Sequence, residues 1–141
     1  MRKTMIKVSY EGVKPEQGSE LAAGYDVRAS EAVTIWPGTS SRIITSTSIQ
    51  PPANCFSMLI ARSGICNKNG LILLNSIGVI DPDYTGKLIF NFWNLSDSMV
   101  EVEAGERVGQ IVFFNRLEAE FVESGFLDTK RGEGGFGSTG K

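Results

Sequence analysis

Short runs of alternating apolar and polar residues recur along this chain, and they constrain its fold more than any other feature. Within residues 87–95, the side chains of Leu88, Phe90 and Phe92 would point one way and those between them the other, which is the two-residue period of a strand. Helical periodicity is almost absent. Comparable runs, rich in β-branched and aromatic residues and separated by turn-forming residues, lie at 6–10, 33–36, 41–49, 56–61, 71–80, 100–103, 108–114 and 118–123.

So many short strands predict an all-β fold: a distorted jelly roll or barrel-like sandwich of antiparallel strands. The length of 141 residues suits one such domain. After residue 128 the composition changes, because five of the last eleven residues are glycine and only Phe136 among them is apolar. We therefore predict a β domain over residues 1–128 and a flexible glycine-rich tail over 129–141.

The residue counts limit the chemistry that the chain can perform. It contains no histidine, which excludes Ser-His-Asp and Cys-His catalysis and also histidine-ligated zinc or iron sites. Catalysis would have to use carboxylates, hydroxyls, arginine, backbone amides or an oxygen-bound cation such as Mg²⁺. The 14 basic and 16 acidic residues give a formal charge of −2, so we expect neither a nucleic-acid nor a membrane partner.

The cysteines and the N-terminal residues indicate where the protein resides. Cys55 and Cys66 lack the CxxC spacing of a metal or redox motif, so we expect both to be reduced and buried. No apolar run is long enough for a signal peptide or a membrane span. We therefore expect a cytoplasmic protein, or one of the host-cell cytoplasm or nucleus if the source is a virus.

Five blocks combine polar side chains with glycine. They are Ala23 to Val27, Arg62 to Gly64, Asn75 to Gly86, Arg107 to Gln110 and Arg131 to Thr139. Taken singly, each favours an ordinary structure: a strand entry, a turn, a hairpin loop, a core strand and a frayed terminus. Two of them also admit a functional interpretation, since Arg62 and Ser63 could bind an anion and Asp81 could orient a water molecule.

Together, in this order and spacing, the five blocks resemble the motifs of the trimeric dUTPase family across nearly the whole chain. The resemblance implies hydrolysis of dUTP to dUMP and pyrophosphate, which limits uracil incorporation into DNA and supplies dUMP for dTMP synthesis. It implies a homotrimer whose sites each take the phosphate-binding blocks from one subunit, the Asp81 hairpin from a second and the tail from a third.

The resemblance also implies a role for each matching residue. Asp81 would activate the water that attacks the α-phosphorus, and Asp26 would hold waters of a Mg²⁺ bound by the substrate phosphates. Arg107 would either brace the site or touch the ligand. The uracil and deoxyribose would be bound by Asn75, Gly78, Val79, Ile80, Tyr84 and Phe136. The phosphates would be bound by Arg62, Ser63, Gly64, Gln110, Arg131, Gly137, Ser138 and Thr139, with the tail acting as a lid.

The chain departs from the family pattern at several positions without losing a reacting group. Val108 and Gly109 replace the commoner Ile-Ala pair, and Lys87 stands where an acid or amide is frequent. The other departures are Val27 for leucine, Ala61 for proline and Ile65 for leucine. The charge around the Asp81 hairpin therefore stays open.

Two alternative functions remain. One is a bifunctional dCTP deaminase that also cleaves the triphosphate, since that enzyme shares the fold. The intact FGSTG ending argues against it, and ammonia release from dCTP would distinguish the two. The other is a non-catalytic β-sandwich that serves as a structural or binding protein, against which Asp81 and the complete tail argue.

Overall fold

The computed structural model describes residues 5–137, apart from the side chain of Lys68, and contains eleven strands and one short helix within that range. In chain order the elements are β1 (Ser9–Gly12), β2 (Tyr25–Arg28), β3 (Val33–Ile35), β4 (Ser40–Ile44), β5 (Thr47–Gln50), β6 (Cys55–Ala61), α1 (Ser63–Asn69), β7 (Leu71–Leu73), β8 (Gly78–Ile80), β9 (Ile89–Asn94), β10 (Val100–Val102) and β11 (Arg107–Asn115). Among the described residues, no helix has the length and apolar character that crossing a bilayer requires.

The strands form four small sheets, and every pair is antiparallel. The largest has the order β2-β11-β6-β8, a second has the order β4-β9-β7, and two further pairs join β1 to β5 and β10 to β3. Neighbours in these sheets are mostly distant in sequence, as expected for a jelly roll. The prediction of an all-β antiparallel fold is therefore confirmed.

The core takes side chains from all four sheets and contains those that the alternation placed on one face. Leu88, Phe90 and Phe92 are each at most 1% exposed, and the last two rings stack with centroids 5.7 Å apart. Burying a side chain of this size contributes roughly 1.5–3 kcal/mol. The alternation therefore identified the buried face of β9 correctly.

Buried polar groups in this core are mostly paired. The Nδ2 of Asn94 donates to the carbonyls of Ile35 at 2.9 Å and Ser98 at 2.8 Å, and its Oδ1 accepts from the Ser96 amide. This one side chain ties the end of β9 to β3 and to the turn before β10, because a buried amide left unpaired would be destabilising.

The structure corrects several sequence predictions. The run 41–49 is two strands, β4 and β5, and the run 71–80 is also two, β7 and β8. Residues 118–123 form no strand, and none of the described strands pairs with them. Strand β2 was not among the predicted runs, although the block Ala23 to Val27, which contains most of it, was interpreted as a strand entry.

The helix α1 was also missed. Among the six residues of this helix that the structure describes fully, only Ile65 is buried, at 5% exposure, so no repeating apolar face is visible in the sequence. It ends at Gly70, whose φ of 67° is the left-handed conformation that glycine adopts readily. Tertiary packing of one side chain and a glycine cap therefore decide this element, against weak intrinsic helix propensity.

Candidate active site

A carboxylate between two arginines lies at one end of the largest sheet. Strand β2 carries Asp26, whose Oδ1 is 3.2 Å from the Nε of Arg62 and whose Oδ2 is 3.5 Å from the Nη1 of Arg107. The Asp26 side chain is only 13% exposed, whereas the two arginines keep 32% and 45% of their side-chain surface in solvent. Three of the predicted blocks therefore meet here, and the buried partner is the acid.

Gln110 belongs to the same group. On β11 it is directly opposite Asp26 on one side and Ile60 on the other, so the three side chains share one face of the sheet. Its Nε2 donates to the carbonyl of Ala61 at 3.5 Å, immediately before Arg62. This hydrogen bond holds the Gln110 side chain across the end of β6. The amide oxygen takes no part in it.

The predicted turn at Arg62, Ser63 and Gly64 is in fact the junction between β6 and α1. Arg62 has extended backbone angles of −82° and 143° and stands at the start of the helix, while Ser63 and Gly64 begin it and are exposed. The guanidinium of Arg62, the Ser63 hydroxyl and the Gln110 amide are all suited to bind oxyanions. With two cations against one acid, this end of the sheet can accept an anion.

The segment that carries Asp81 follows β8, elsewhere on the same sheet. It is not the predicted hairpin, because β8 pairs with β6 whereas the next strand, β9, pairs with β4 and β7 in another sheet. Strand β8 pairs with β6 on one side and forms an edge of the sheet on the other. The edge places backbone groups of Gly78, Val79 and Ile80 where they can pair with a ligand. Asp81 follows at once and is exposed, so its carboxylate is not in the dry core.

The loops on either side of β8 are held by their own hydrogen bonds. The amide of Tyr84 donates to the carbonyl of Asp81 at 3.1 Å, and the Tyr84 hydroxyl donates to the carbonyl of Lys87 at 2.7 Å. Asn75 is exposed and accepts from the Ile77 amide at 2.6 Å through its carbonyl, beside Ser76 with φ of 61°. Its side chain stays available to a ligand.

Within one chain, the strand register separates Asp81 from the group of residues around Arg62. Ile80 lies opposite Ser57, and Gly78 lies opposite Leu59. Continuing this antiparallel register by one residue places Asp81 beside Phe56, at the start of β6. Arg62 follows the end of that strand. The intervening six residue steps correspond to about 20 Å along β6, at roughly 3.3 Å per residue. A single chain therefore holds Asp81 and Arg62 at opposite ends of the sheet.

The described tail residues, 129–137, form hydrogen bonds among themselves. The Nε of Arg131 donates to the carbonyl of Gly134 at 2.7 Å, and the ring of Phe136 is fully exposed. Gly137 has φ of 79°. Ser138 and Thr139 lie outside the described residues, so the roles expected for this block remain predictions.

A groove that the sequence did not reveal lies apart from both groups. It has a volume of about 610 Å³, and its walls include Ile6, Val8, Tyr10, Tyr25, Ile49 and Phe113. None of the residues expected to bind substrate lines it. Further along the chain, residues 117–127 expose five large apolar side chains: Leu117, Phe121, Val122, Phe126 and Leu127.

The acidic residues present do not form a metal cage. Among the described residues, no group of three or more acids and cysteines is spaced to hold an ion. Both oxygens of Asp26 face a guanidinium, and two nearby positive charges oppose direct coordination of a divalent cation. The carboxylate is better suited to contact a metal ion through water: it would accept hydrogen bonds from the waters of a phosphate-bound Mg²⁺.

Both cysteines are free, as expected. Cys55 is buried at the start of β6, whereas Cys66 on α1 is only partly buried, which corrects the expectation that both are fully enclosed. Neither lies among the groups described above as possible ligands.

Known proteins resemble this chain in both sequence and fold. Residues 11–140 match the dUTPase family. The chain is 42% identical over 131 residues to a deoxyuridine 5'-triphosphate nucleotidohydrolase of Actinobacillus pleuropneumoniae, with 90% of this chain and 87% of the relative covered. Its fold resembles that of a Staphylococcus bacteriophage 80alpha dUTPase solved with dUPNHPP, at a TM-score of 0.84, 26% identity and coverage of 96% and 99%.

A dUTPase from Streptococcus mutans is also similar, with a TM-score of 0.75 and 32% identity over 79% of this chain and 98% of that one. The family match spans nearly the whole sequence, including all five blocks, and the relatives are covered almost end to end. The chain belongs to the dUTPase family.

Proposed function

We propose that this protein is a dUTP diphosphatase, which hydrolyses dUTP to dUMP and pyrophosphate in active sites shared between copies of the chain. The observation that carries the proposal is the placement of two complementary groups of residues at opposite ends of one sheet. One group, around Arg62 and Gln110, suits a triphosphate. The other, around Asp81, suits a nucleoside and its attacking water.

The residues proposed to bind the triphosphate lie on or next to β2, β11 and β6, the first three strands of the largest sheet. Arg62 supplies a planar charged fork, Ser63 a hydroxyl and Gln110 an amide, and all three can donate to phosphate oxygens. Arg107 is held by Asp26 and contributes positive charge. Bound Mg²⁺ would neutralise charge on the triphosphate, and the Asp26 carboxylate would accept hydrogen bonds from its waters.

The residues proposed to bind the nucleoside lie on or next to the edge strand β8. Backbone donors and acceptors of β8 at Gly78, Val79 and Ile80 can imitate a base-pairing partner, accepting uracil and rejecting cytosine by donor-acceptor mismatch. The Asn75 amide would add to this recognition. The Tyr84 ring, held through its hydroxyl on Lys87, would pack beneath the sugar and leave no space for a ribose 2′-hydroxyl.

The Asp81 carboxylate would orient and deprotonate the attacking water. Its position at the end of a paired strand and within a hydrogen-bonded turn keeps it in place relative to the base. In-line attack at the α-phosphorus breaks the bond to the bridging oxygen and releases pyrophosphate. The arginines and Gln110 would stabilise the charge that develops on the phosphate oxygens.

Because Arg62 and Asp81 stand about 20 Å apart along β6 in one chain, the complete site requires a second copy. The sheet face that carries Asp26 and Gln110 continues as an apolar surface, formed by Phe56, Met58, Ile60, Val79, Val112 and Phe114. The rings of Phe56 and Phe114 stack there at 5.4 Å. Packing this face against another copy would bury it and bring Asp81 of one chain toward Gln110 of the next.

The exposed residues 117–127 support the same assembly. Phe121 and Phe126 are almost completely exposed in the single chain, which a monomer would not favour. Docked on another copy, this segment would lead the tail to a neighbouring site. There, Phe136 would stack on uracil, while Arg131, Gly137, Ser138 and Thr139 would close over the phosphates. We therefore propose a homotrimer with a domain over residues 1–128 and a closing tail over 129–141.

The reaction is tested by incubating the purified protein with dUTP, dCTP, dTTP and UTP in Mg²⁺ while following pyrophosphate. Rapid release from dUTP alone supports the proposed base and sugar selection. Ammonia release from dCTP would support the bifunctional deaminase instead. Absence of turnover on all four would contradict the proposal and favour a non-catalytic binding protein.

A further inference from the structure

The amide side chain of Gln110 lies directly against the backbone of a buried glycine, Gly24. A methyl group built on Gly24 would overlap the Gln110 Oε1 and would stand 3.0 Å from its Cδ and 3.2 Å from its Cβ. Real Cβ atoms essentially never approach heavy atoms this closely. Any side chain at position 24 must therefore displace Gln110 or the strand that carries it.

The opposite side of the Gln110 amide is also occupied. Its Nε2 donates to the carbonyl of Ala61 at 3.5 Å, and Ala61 is the last residue of β6 before Arg62. The amide is thus confined between Gly24, which precedes β2, and the end of β6. The long hydrogen bond is weak alone, so the close approach of Gly24 is the stronger of the two constraints.

We propose that Gly24 is a positioning residue for substrate binding, which acts by giving the Gln110 amide the space to lie across the end of β6. This inference rests on the proposed role of Gln110 in contacting the phosphates. In this orientation the amide stands beside Arg62 and directly opposite Asp26. A methyl group at position 24 would move the amide away from the phosphate-binding group without removing any ligand.

The test is a double-mutant cycle on the full-length oligomer, with kcat/KM for dUTP as the readout. Gln110→Ala should lower kcat/KM about ten- to a hundredfold, the range for a hydrogen bond to a charged group. Gly24→Ala should lower it by a comparable factor. In the Gln110→Ala background the glycine change should have a much smaller effect, because the amide is gone and only the 3.2 Å contact with the Cβ of residue 110 remains.

Gly18→Ala is the matched control. Gly18 lies in the same segment before β2 and is exposed, and a methyl group there would meet only Asp26 Oδ2 at 3.9 Å, an ordinary contact. This variant should retain wild-type kcat/KM. A thermal melt of each variant would confirm that differences in activity are not differences in folding.

The outcomes separate the inference from the proposed function. If Gln110→Ala keeps full activity, the role of Gln110 itself is wrong. If Gln110→Ala lowers kcat/KM but Gly24→Ala does not, the positioning role of Gly24 is overturned. It is also overturned if the double variant loses kcat/KM by the product of the two single factors. Should Gly24→Ala fail to fold, the double variant decides: it should fold if the amide is the obstacle, and its failure would contradict the inference.

Discussion

The Oδ1 of Asp26 lies 3.2 Å from the Nε of Arg62, so a largely buried carboxylate holds the arginine proposed to bind the phosphates. The same carboxylate reaches Arg107 through its other oxygen. A carboxylate so near an anion site would repel the ligand if it stood alone. Between two guanidinium groups it instead aligns their donors and leaves the local charge positive.

Asp26→Asn should therefore reduce substrate binding more than it reduces stability. The arginines are partly solvent-exposed, so losing both ion pairs should lower the free energy of unfolding by only about 1 kcal/mol. The KM for dUTP should rise clearly, and the Mg²⁺ concentration needed for half-maximal rate should increase. Steady-state kinetics across a Mg²⁺ titration, with urea unfolding in parallel, measure both effects.

Glu118→Gln serves as the control for that experiment. It breaks the ion pair with Arg116 at 3.0 Å, in which Glu118 is 84% exposed, and it should leave KM and Mg²⁺ dependence unchanged. An Asp26→Asn protein with wild-type KM and metal dependence would show that the carboxylate neither aligns the arginines nor contacts hydrated metal.

Selection of deoxyribose should depend on Gly86 as well as on Tyr84. A methyl group on Gly86 would stand 2.6 Å from the Tyr84 hydroxyl oxygen and 2.8 Å from Cζ, so Gly86→Ala must move the ring. We expect the preference for dUTP over UTP, as a ratio of kcat/KM values, to fall roughly tenfold. Competition assays with both nucleotides measure this ratio.

Tyr84→Phe provides the comparison. It keeps the ring and loses only the hydrogen bond to Lys87, so its sugar preference should change less than that of Gly86→Ala. Unaltered discrimination in the Gly86→Ala protein would mean that the ring does not contact the sugar.

The departure from the family pattern at Gly109 has a structural reason in Phe90. A methyl group on Gly109 would overlap the Phe90 ring and stand 3.1 Å from the Ile60 carbonyl oxygen. Gly109→Ala should therefore lower the free energy of unfolding by about 1–3 kcal/mol through overpacking. Denaturant unfolding measures the loss.

Adding Phe90→Leu should recover part of that loss, although Phe90→Leu alone should destabilise the protein. Strictly additive effects of the two substitutions would show that the ring and the glycine are not matched to each other.

Comparison of the sequence with the structure shows where local patterns suffice. The two-residue period identified the buried face around Phe90 and Phe92 because each strand there contacts the core on one side. It failed at α1, where a single buried side chain and a glycine cap determine the helix. At residues 118–123 the pattern of a strand is present, but none of the strands within residues 5–137 pairs with this segment.

The candidate site, too, could be predicted from the sequence only in part. The family motifs pointed to Asp26, Arg62 and Gln110, and the structure brings these three together. Separation of Asp81 from them follows from the register of β6 and β8, which depends on long-range pairing and is not encoded in any one motif. The close approach of Gly24 to Gln110 is likewise invisible in sequence, because it joins residues 86 positions apart only after folding.

Oligomer formation should depend on the exposed apolar residues near the C-terminus. Phe121 is 96% exposed in the single chain, so Phe121→Glu should weaken association and make activity dependent on protein concentration. Sedimentation measures the assembly state. Trp36→Glu, which alters another exposed aromatic residue, should leave it intact, and a wild-type assembly of Phe121→Glu would exclude this segment from the contact.

Mixing two inactive variants tests the shared site most directly. Asp81→Asn and Arg62→Ala each remove one half of the proposed site, and each alone should lower kcat by about a hundredfold or more. Proteins unfolded and refolded together form mixed oligomers in which some sites pair an intact Asp81 with an intact Arg62 from another chain. We predict that dUTP hydrolysis reappears in the mixture but not in the separately refolded variants. If mixed oligomers form and remain as inactive as their parents, the two residues do not act across chains and the account is wrong.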